Sequence, residues 1–337
     1  MKSEGSANLQ AGSEVLPPAT ADFTREPLRT AVLFVVFNRP ETTQVVFEAI
    51  REAKPPRLYV AADGPRRNHA GEDLKVEAVR RYVTENVDWE CEVRTHFQEE
   101  NLGCKFGVGA AITWFFEHEE AGIILEDDCL PDQSFFYFCE ELLDRYQDDE
   151  QVMHVAGSCL MKDVGARESY FFSKYPAVWG WATWRDAWSR FSLTTDDFES
   201  DFEAISAQFP SVEEREYWRS TLKDYFDGRI DTWDYSWAFS IWKQHGLATY
   251  PTRNLVKNIG FGVGSTHTKA WKDHRGLGDA ELQPLDAIVH PQNVVSNPEL
   301  DQKVFDESYK KSSKMVIGFK LLRRLVAKSV RGSRSPK

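Results

Sequence analysis

The chain has no apolar run long enough to cross a bilayer: the longest, Ala31–Phe37, falls far short of the ~20 residues a spanning helix needs. Its opening residues, MKSEGSANLQ, have no apolar core of the kind a secretory signal carries. The expectation is therefore a cytoplasmic protein, at most peripheral on a membrane. Cysteine is scarce. Cys91, Cys104, Cys129, Cys139 and Cys159 are an odd number without CxxC spacing, which favours core thiols in a reducing compartment over disulfides. No internal repeat is visible, and Gly262-Val-Gly264 is too short for a dinucleotide fingerprint. Acidic side chains are missing altogether from residues 310–337, which hold ten Lys and Arg, so the net charge of −12 conceals −22 on the remainder. An acidic body excludes general nucleic-acid binding, which needs a basic face. Any anionic substrate must be met by a metal or by a few placed cations.

What is present is a chain with 42% hydrophobic and 13% aromatic residues, sufficient for one large α/β core. Residues 1–28 are rich in Ser, Ala, Glu and Pro without periodicity and are expected to be a disordered arm. Thr30–Phe37 is a continuous apolar run, as in a strand buried on both faces, and Asn38-Arg-Pro40 ends it. Helical spacing follows over Glu41–Ala53, a second strand over Arg57–Ala62 with Asp63-Gly64-Pro65 as its stop, and a helix over Glu72–Asn86. A third strand over Cys91–Phe97, a helix over Gly107–Glu117 and a fourth strand over Gly122–Leu125 complete the series. Alternation with short connections predicts an α/β, mostly parallel, doubly wound Rossmann-like sheet with helices on both faces. Beyond residue 150 the pattern loosens, with a strand over Val152–Cys159, a Trp-rich stretch at Tyr175–Phe191, helices over Phe202–Asp227 and Asp231–His245, and a strand over Leu247–Tyr250. The expected organisation is one domain over residues 29–290, with a nucleotide-sugar half (29–150) and an acceptor half (151–290), then a C-terminal extension (291–337). The Trp and Tyr of the second half could stack on sugars or, as is more common for such residues, pack a core.

In such sheets ligands bind beyond the carboxyl ends of the strands. Three strand ends here carry charge directly after an apolar run: Arg39, Asp63 and Glu126-Asp127-Asp128. Three consecutive carboxylates leaving a buried strand repel one another unless a cation offsets them. A divalent ion would do so, since Mg²⁺ and Mn²⁺ take hard oxygen ligands and keep positions open for phosphate. The alternative is a solvated turn in which Asp128 or Asp132 caps the helix at Ser134–Arg145.

The order apolar strand–Asn-Arg-Pro, strand–Asp-Gly, Asn101-Leu-Gly-Cys-Lys105 and strand–Glu-Asp-Asp resembles the GT-A fold of nucleotide-sugar glycosyltransferases. Within that group the motifs are similar to those of the N-acetylglucosaminyltransferase I family. They are Glu126-Asp-Asp-Cys-Leu-Pro-Asp-Gln-Ser-Phe-Phe136, Pro176-Ala-Val-Trp-Gly-Trp181, Trp233-Asp-Tyr-Ser-Trp237 and Phe261-Gly-Val-Gly-Ser-Thr-His267. The resemblance spans roughly residues 30–270 in consistent order, and the order is more specific than any one motif. It implies Asp128 as the direct ligand of Mn²⁺ or Mg²⁺, and Glu126 and Asp127 beside the ribose and transferred sugar. It further implies Asp63 at the uracil edge, Arg39 near the nucleotide, Lys105 beside the donor and Asp234 as general base. The eukaryotic members carry an N-terminal membrane span that this chain lacks. The implied reaction is inverting transfer of a hexosyl or N-acetylhexosaminyl unit from a nucleotide-diphosphate donor, expected to be a UDP-sugar, to a hydroxyl in glycan or lipid-linked saccharide synthesis.

Asp234 could equally be a helix N-terminal acid that complements the dipole. His267 could be a second metal or phosphate ligand or a loop histidine, and His154, within an apolar strand, is expected in the core. Residues 314–331 form a basic amphipathic pattern suited to an anionic membrane surface or to packing against the acidic body or a second subunit. Two other functions share such a sheet: a sugar nucleotidyltransferase, whose usual Gly-rich first loop is missing at Phe37–Pro40, and a carbohydrate-binding protein without turnover.

Overall fold

A computed structural model of the chain describes residues 20–22, 27–161, 164–261 and 280–310. The first strands leave helices on alternate faces because their side chains are apolar on both. β1 is Thr20–Asp22 and β2 is Val32–Val36, followed by α1 (Pro40–Ala53), β3 (Arg57–Ala62), α2 (Glu72–Glu85), β4 (Glu92–Phe97), α3 (Gly103–Phe116) and β5 (Ala121–Glu126). On β2, Val32, Phe34 and Val36 pack with Val46, Phe47 and Ile50 of α1 and Val79 and Val83 of α2. The intervening Leu33 faces Val108, Ala111, Ile112 and Phe115 of α3. That period-two split is what wraps the sheet on both sides.

The chain continues through β6 (Cys129–Pro131), α4 (Gln133–Arg145), β7 (Val152–Ala156), β8 (Tyr170–Ser173), β9 (Trp181–Trp184), α5 (Arg185–Trp188), α6 (Phe198–Ile205), α7 (Val212–Phe226) and α8 (Asp234–Lys243). β10 (Leu247–Pro251), β11 (Val256–Asn258), β12 (Ala287–Val289) and α9 (Pro298–Val304) follow. The eight-stranded sheet has the order β4-β3-β2-β5-β9-β7-β10-β8. β4, β3, β2 and β5 are parallel, as are β7 and β10, while β9 and β8 run antiparallel to their neighbours. The architecture is the expected α/β one: a mostly parallel sheet with helices on both faces.

The differences lie where no hydrophobic period is visible in the sequence. Tyr175–Phe191 contains the buried strand β9 and the short α5, and Phe202–Asp227 breaks into α6 and α7 because Pro210 interrupts the ladder and Ser211 caps α7 through Glu214 N–H. Within the arm expected to be unstructured, Thr20–Asp22 pairs antiparallel with β12. Val304 and Phe305, assigned to a C-terminal extension, are buried beside Phe171, Tyr175 and Trp218. Pro176-Ala-Val-Trp-Gly-Trp181 and Trp233-Asp-Tyr-Ser-Trp237 supply core, not an exposed platform: Trp181 stacks on Trp233 at 5.5 Å, and both are buried. Trp237 Nε1 donates to His154 Nδ1 at 3.1 Å, which fixes the proton on Nε2 for donation to the Ala177 carbonyl at 3.0 Å. Burial holds His154 neutral, its pKa pushed down to about 3. All five cysteines are free thiols.

Candidate active site

Two loops and one ribbon form the site. Pro40 at the first position of α1 ends β2 abruptly and leaves Arg39 as the residue between strand and helix. β3 stops at Asp63-Gly64, and Gly64 is required there because an added Cβ would sit 2.4 Å from the Glu100 backbone. That close approach lets Asp63 clasp the loop before α3. Its Oδ1 accepts from the N–H groups of Leu102 (2.8 Å) and Gly64 (2.9 Å), and its Oδ2 from Gly103 N–H and the Asn101 amide, both at 2.9 Å. Burial lifts the Asp63 carboxyl above its usual range, and those N–H groups pull it part of the way back. The Asn101-Leu-Gly motif is thus the partner of the strand-end Asp-Gly.

β5 delivers the acidic triplet. Asp127 is buried; its Oδ1 pairs with Arg39 Nη2 and its Oδ2 accepts from Phe37 N–H at 3.1 Å. Asp128 Oδ2 pairs with Arg39 Nη1 at 2.7 Å. Glu126 has no hydrogen-bond partner among the described residues and opens onto the cleft. Burial, and then the charges of Asp128 and Asp127, push its carboxyl well above the ordinary range, so a second cation or a proton is favoured there. The antiparallel ribbon of β6 and β11 carries the backbone past this pair: Ile259 N–H donates to the Asp128 carbonyl at 2.8 Å. Of the two capping options, Asp132 is the one used; it accepts from Ser134 N–H at the start of α4.

Between the ends of β2, β3, β4 and β5 lies a cleft of about 290 Å³. Its lining combines small apolar groups, Val36, Ala61, Ala62, Val108 and Ala111, with the charged side chains of Arg39, Arg66, Glu126 and Asp127. Sequence reasoning missed four polar members. Arg66 is held by Glu72, whose Oε2 also accepts from Arg66 N–H at 2.7 Å and whose Oε1 accepts from the Asn38 amide at 2.7 Å. The Arg66 side chain, with burial opposing it, holds the Glu72 carboxyl down to about 2. His96 and Gln98, at the end of β4, bond to each other at 2.8 Å, and the His96 ring stacks on Trp114. Asp231 lines the mouth. A usable signal was present for one of these: Gln98 is a polar side chain directly after the end of β4.

The other expected residues divide. Asp234 is the first residue of α8, accepts from the Thr232 hydroxyl, and is close enough for its charge to raise Glu126. Lys105 does not line the cleft; its Nζ lies over the Tyr225 ring, 4.1 Å from the centroid. His267 and the basic segment 314–331 lie outside the described residues. Among the described residues no three His, Cys, Asp or Glu side chains converge as a ready metal cage. Glu126 and Asp128 are nevertheless hard oxygen donors of the type that Mn²⁺ and Mg²⁺ prefer, and Arg39 is what stands against Asp128. Among the described residues no helix is long and apolar enough to cross a membrane.

No family model and no curated protein matches the chain. Solved structures with a similar arrangement include the mannosyltransferase PcManGT from Pyrobaculum calidifontis in complex with GDP-Man and Mn²⁺, at 13% identity and TM-score 0.38 over 68% of this chain and 73% of that one. The glycosyltransferase GlyE of Streptococcus pneumoniae TIGR4 follows at 14% identity and TM-score 0.34, over 83% of this chain and 61% of that one. An inositol-1-phosphate CTP transferase from T. maritima has 7% identity and TM-score 0.30 over 48% and 73%. Likeness of this degree carries nothing about chemistry.

Proposed function

We propose that this protein is a metal-dependent, inverting glycosyltransferase that uses a nucleotide-diphosphate sugar, with a UDP-sugar as the donor and a hydroxyl of a glycan or lipid-linked saccharide as the acceptor. One observation carries the reading: a cleft at the carboxyl ends of four parallel strands is lined both by small apolar side chains and by Arg39, Arg66 and Glu126. The apolar groups suit a nucleoside and the arginines a diphosphate. The order of motifs, similar to that of the N-acetylglucosaminyltransferase I family, points the same way and suggests a hexosyl or N-acetylhexosaminyl unit.

In this mechanism Arg39 and Arg66 bind the diphosphate and stabilise charge as it departs. Asp128 and Glu126 would hold Mn²⁺ or Mg²⁺, whose chemistry is to offset the charge of the leaving diphosphate. Asp234 takes the proton of the acceptor hydroxyl as that oxygen attacks the anomeric carbon, with Asp231 beside it at the mouth. Asp63 acts through the loop it clasps, shaping the wall of the nucleoside slot. Lys105 steadies Tyr225 at the edge of the donor side. His267 is proposed as a further ligand, and residues 314–331 as the contact with an anionic membrane on the cytoplasmic side. Binding to anionic liposomes that survives deletion of 314–337 would remove that last element.

The test is a panel of UDP-, GDP- and dTDP-sugars with and without Mn²⁺, followed by thermal shift and by release of nucleoside diphosphate. Stabilisation by one nucleotide that depends on Mn²⁺ and disappears in Asp128→Ala is expected. Indifference to every nucleotide would sink the reading, and pyrophosphate release from a nucleoside triphosphate would mark a nucleotidyltransferase.

A further inference from the structure

We infer that Arg39 is a resident counter-ion that competes with the divalent cation for Asp128, so that metal entry requires its guanidinium to let go and turn to the diphosphate. The inference deepens the metal-dependent reading above and rests on it. Four observations lead to it. Both oxygens of Asp127 are engaged, one by Arg39 and the other by Phe37 N–H. Asp128 Oδ2 is engaged by Arg39 Nη1 at 2.7 Å, and among the described residues its Oδ1 meets only the Cys129 thiol at 3.5 Å, a weak donor. An ion held at Asp128 with Arg39 in place would have to share that one carboxylate with the guanidinium, while Glu126 is the acid of the triplet without a hydrogen-bond partner among the described residues.

Gly260 packs closely against the pair: an added Cβ there would stand 2.2 Å from Asp128 Oδ2 and 2.9 Å from Arg39 Nη1. Arg39 also lines the cleft, so a guanidinium that leaves Asp128 has open space beside it. Arg39 Nε is buried without a partner among the described residues, so there the guanidinium is held through its two terminal nitrogens and has a donor to spare. A diphosphate in the cleft offers acceptors for a planar donor set. Exchange therefore couples the two ligands: cation at Asp128 frees Arg39 for phosphate, and phosphate on Arg39 frees Asp128 for the cation. The coupling must be reciprocal.

Mn²⁺ alone is the probe, titrated into the full-length protein with the free ion counted by electron paramagnetic resonance. Arg39→Met is expected to bind Mn²⁺ roughly tenfold more tightly than the wild type, and Asp128→Asn to abolish binding in both backgrounds. Equal affinity of wild type and Arg39→Met overturns the inference while leaving metal dependence intact. Absence of binding to either protein overturns both. Because Arg39→Met leaves two buried acids without a cation and could fail to fold, a second measurement uses the wild type: phenylglyoxal labelling of Arg39, followed by peptide mass spectrometry. Saturating Mn²⁺ should raise its labelling rate several-fold, and an unchanged rate overturns the inference.

Discussion

Two of the networks that bury charged groups in this protein do so under opposite conditions. At the strand ends, Arg39 holds Asp127 on the wall of an open cleft and Asp128 beside it, with Glu126 left over. Behind β8 the network is sealed. Lys174 donates to Glu214 at 2.8 Å and to the Gln208 carbonyl at 2.8 Å, the Tyr175 hydroxyl donates to the same Glu214 oxygen, and Ser173 donates to Asp301 at 2.6 Å. Trp218, Phe209 and Trp242 enclose it. One network faces space and retains an uncompensated acid, while the other faces aromatic rings and fastens α7 and α9 to the sheet. Location decides what such charges do: on a cleft they remain available to a ligand, and in a closed core they only hold elements together.

That contrast can be broken at its strongest point first. Asp234→Ala should reduce turnover by about 10²–10⁴-fold, the usual worth of a general base, while the melting temperature stays put; a large fall in melting temperature with turnover per folded molecule preserved would reverse the assignment. In the sealed network Lys174→Met strands Glu214 in the core and should cost about 3–5 kcal/mol in urea denaturation, with nucleotide affinity of the folded protein unaltered. Loss of affinity without loss of stability would mean that the two regions communicate.

Asp63→Asn sharpens the comparison, since the residue belongs to the cleft but acts by holding a loop. An amide presents two N–H groups to a nest of donors, so a cost of about 1–3 kcal/mol is expected, together with faster hydrogen exchange at Leu102 and Gly103 and weaker nucleotide binding. If binding weakens while exchange does not change, Asp63 touches the ligand directly. The smallest effect is a pH slope. His154 is kept neutral in the fold, pushed down to about 3, whereas the unfolded chain takes up the proton near 6.5. The unfolded state binds more protons between those values, so stability should fall as pH falls, by about 1.4 kcal/mol per pH unit from this one residue. The difference between the wild type and His154→Gln isolates that slope, and parallel pH profiles would deny it.

The first half of the fold was legible because burial on two faces writes a strand as an unbroken apolar run. Arg57–Ala62 is β3 to the residue, and the ends of β2, β4 and β5 were misjudged by a residue or two. β9 was hidden because Trp181-Ala-Thr-Trp184 has neither alternation nor length, and its register depends on β5 and β7 from distant parts of the chain. β6 and β11 are three-residue strands joined across more than a hundred positions, a pairing that no local propensity encodes. Of the site, charge placed directly after apolar runs revealed Arg39, Asp63 and the triplet. Extended to polar side chains after any strand, the rule reaches Gln98, but not His96 inside β4 or Arg66 four residues beyond β3. What could not be seen was that Arg39 meets the acids 88 and 89 residues away, and that Asp63 meets the loop 38 to 40 residues on. Those are consequences of strand order, and strand order is not local.

β9 has one more consequence, for how the molecule comes apart. It is the outer neighbour of β5, the strand that ends in the acidic triplet, yet it is supplied by residues 181–184. A chain cut near residue 150 keeps every strand around the cleft and leaves β5 as a naked hydrophobic edge, the kind of edge that recruits a second copy of itself. Truncation there should yield oligomers or aggregates in place of a small nucleotide-binding fragment. Adding the second piece in trans should restore solubility only when it includes the Trp181–Trp184 strand.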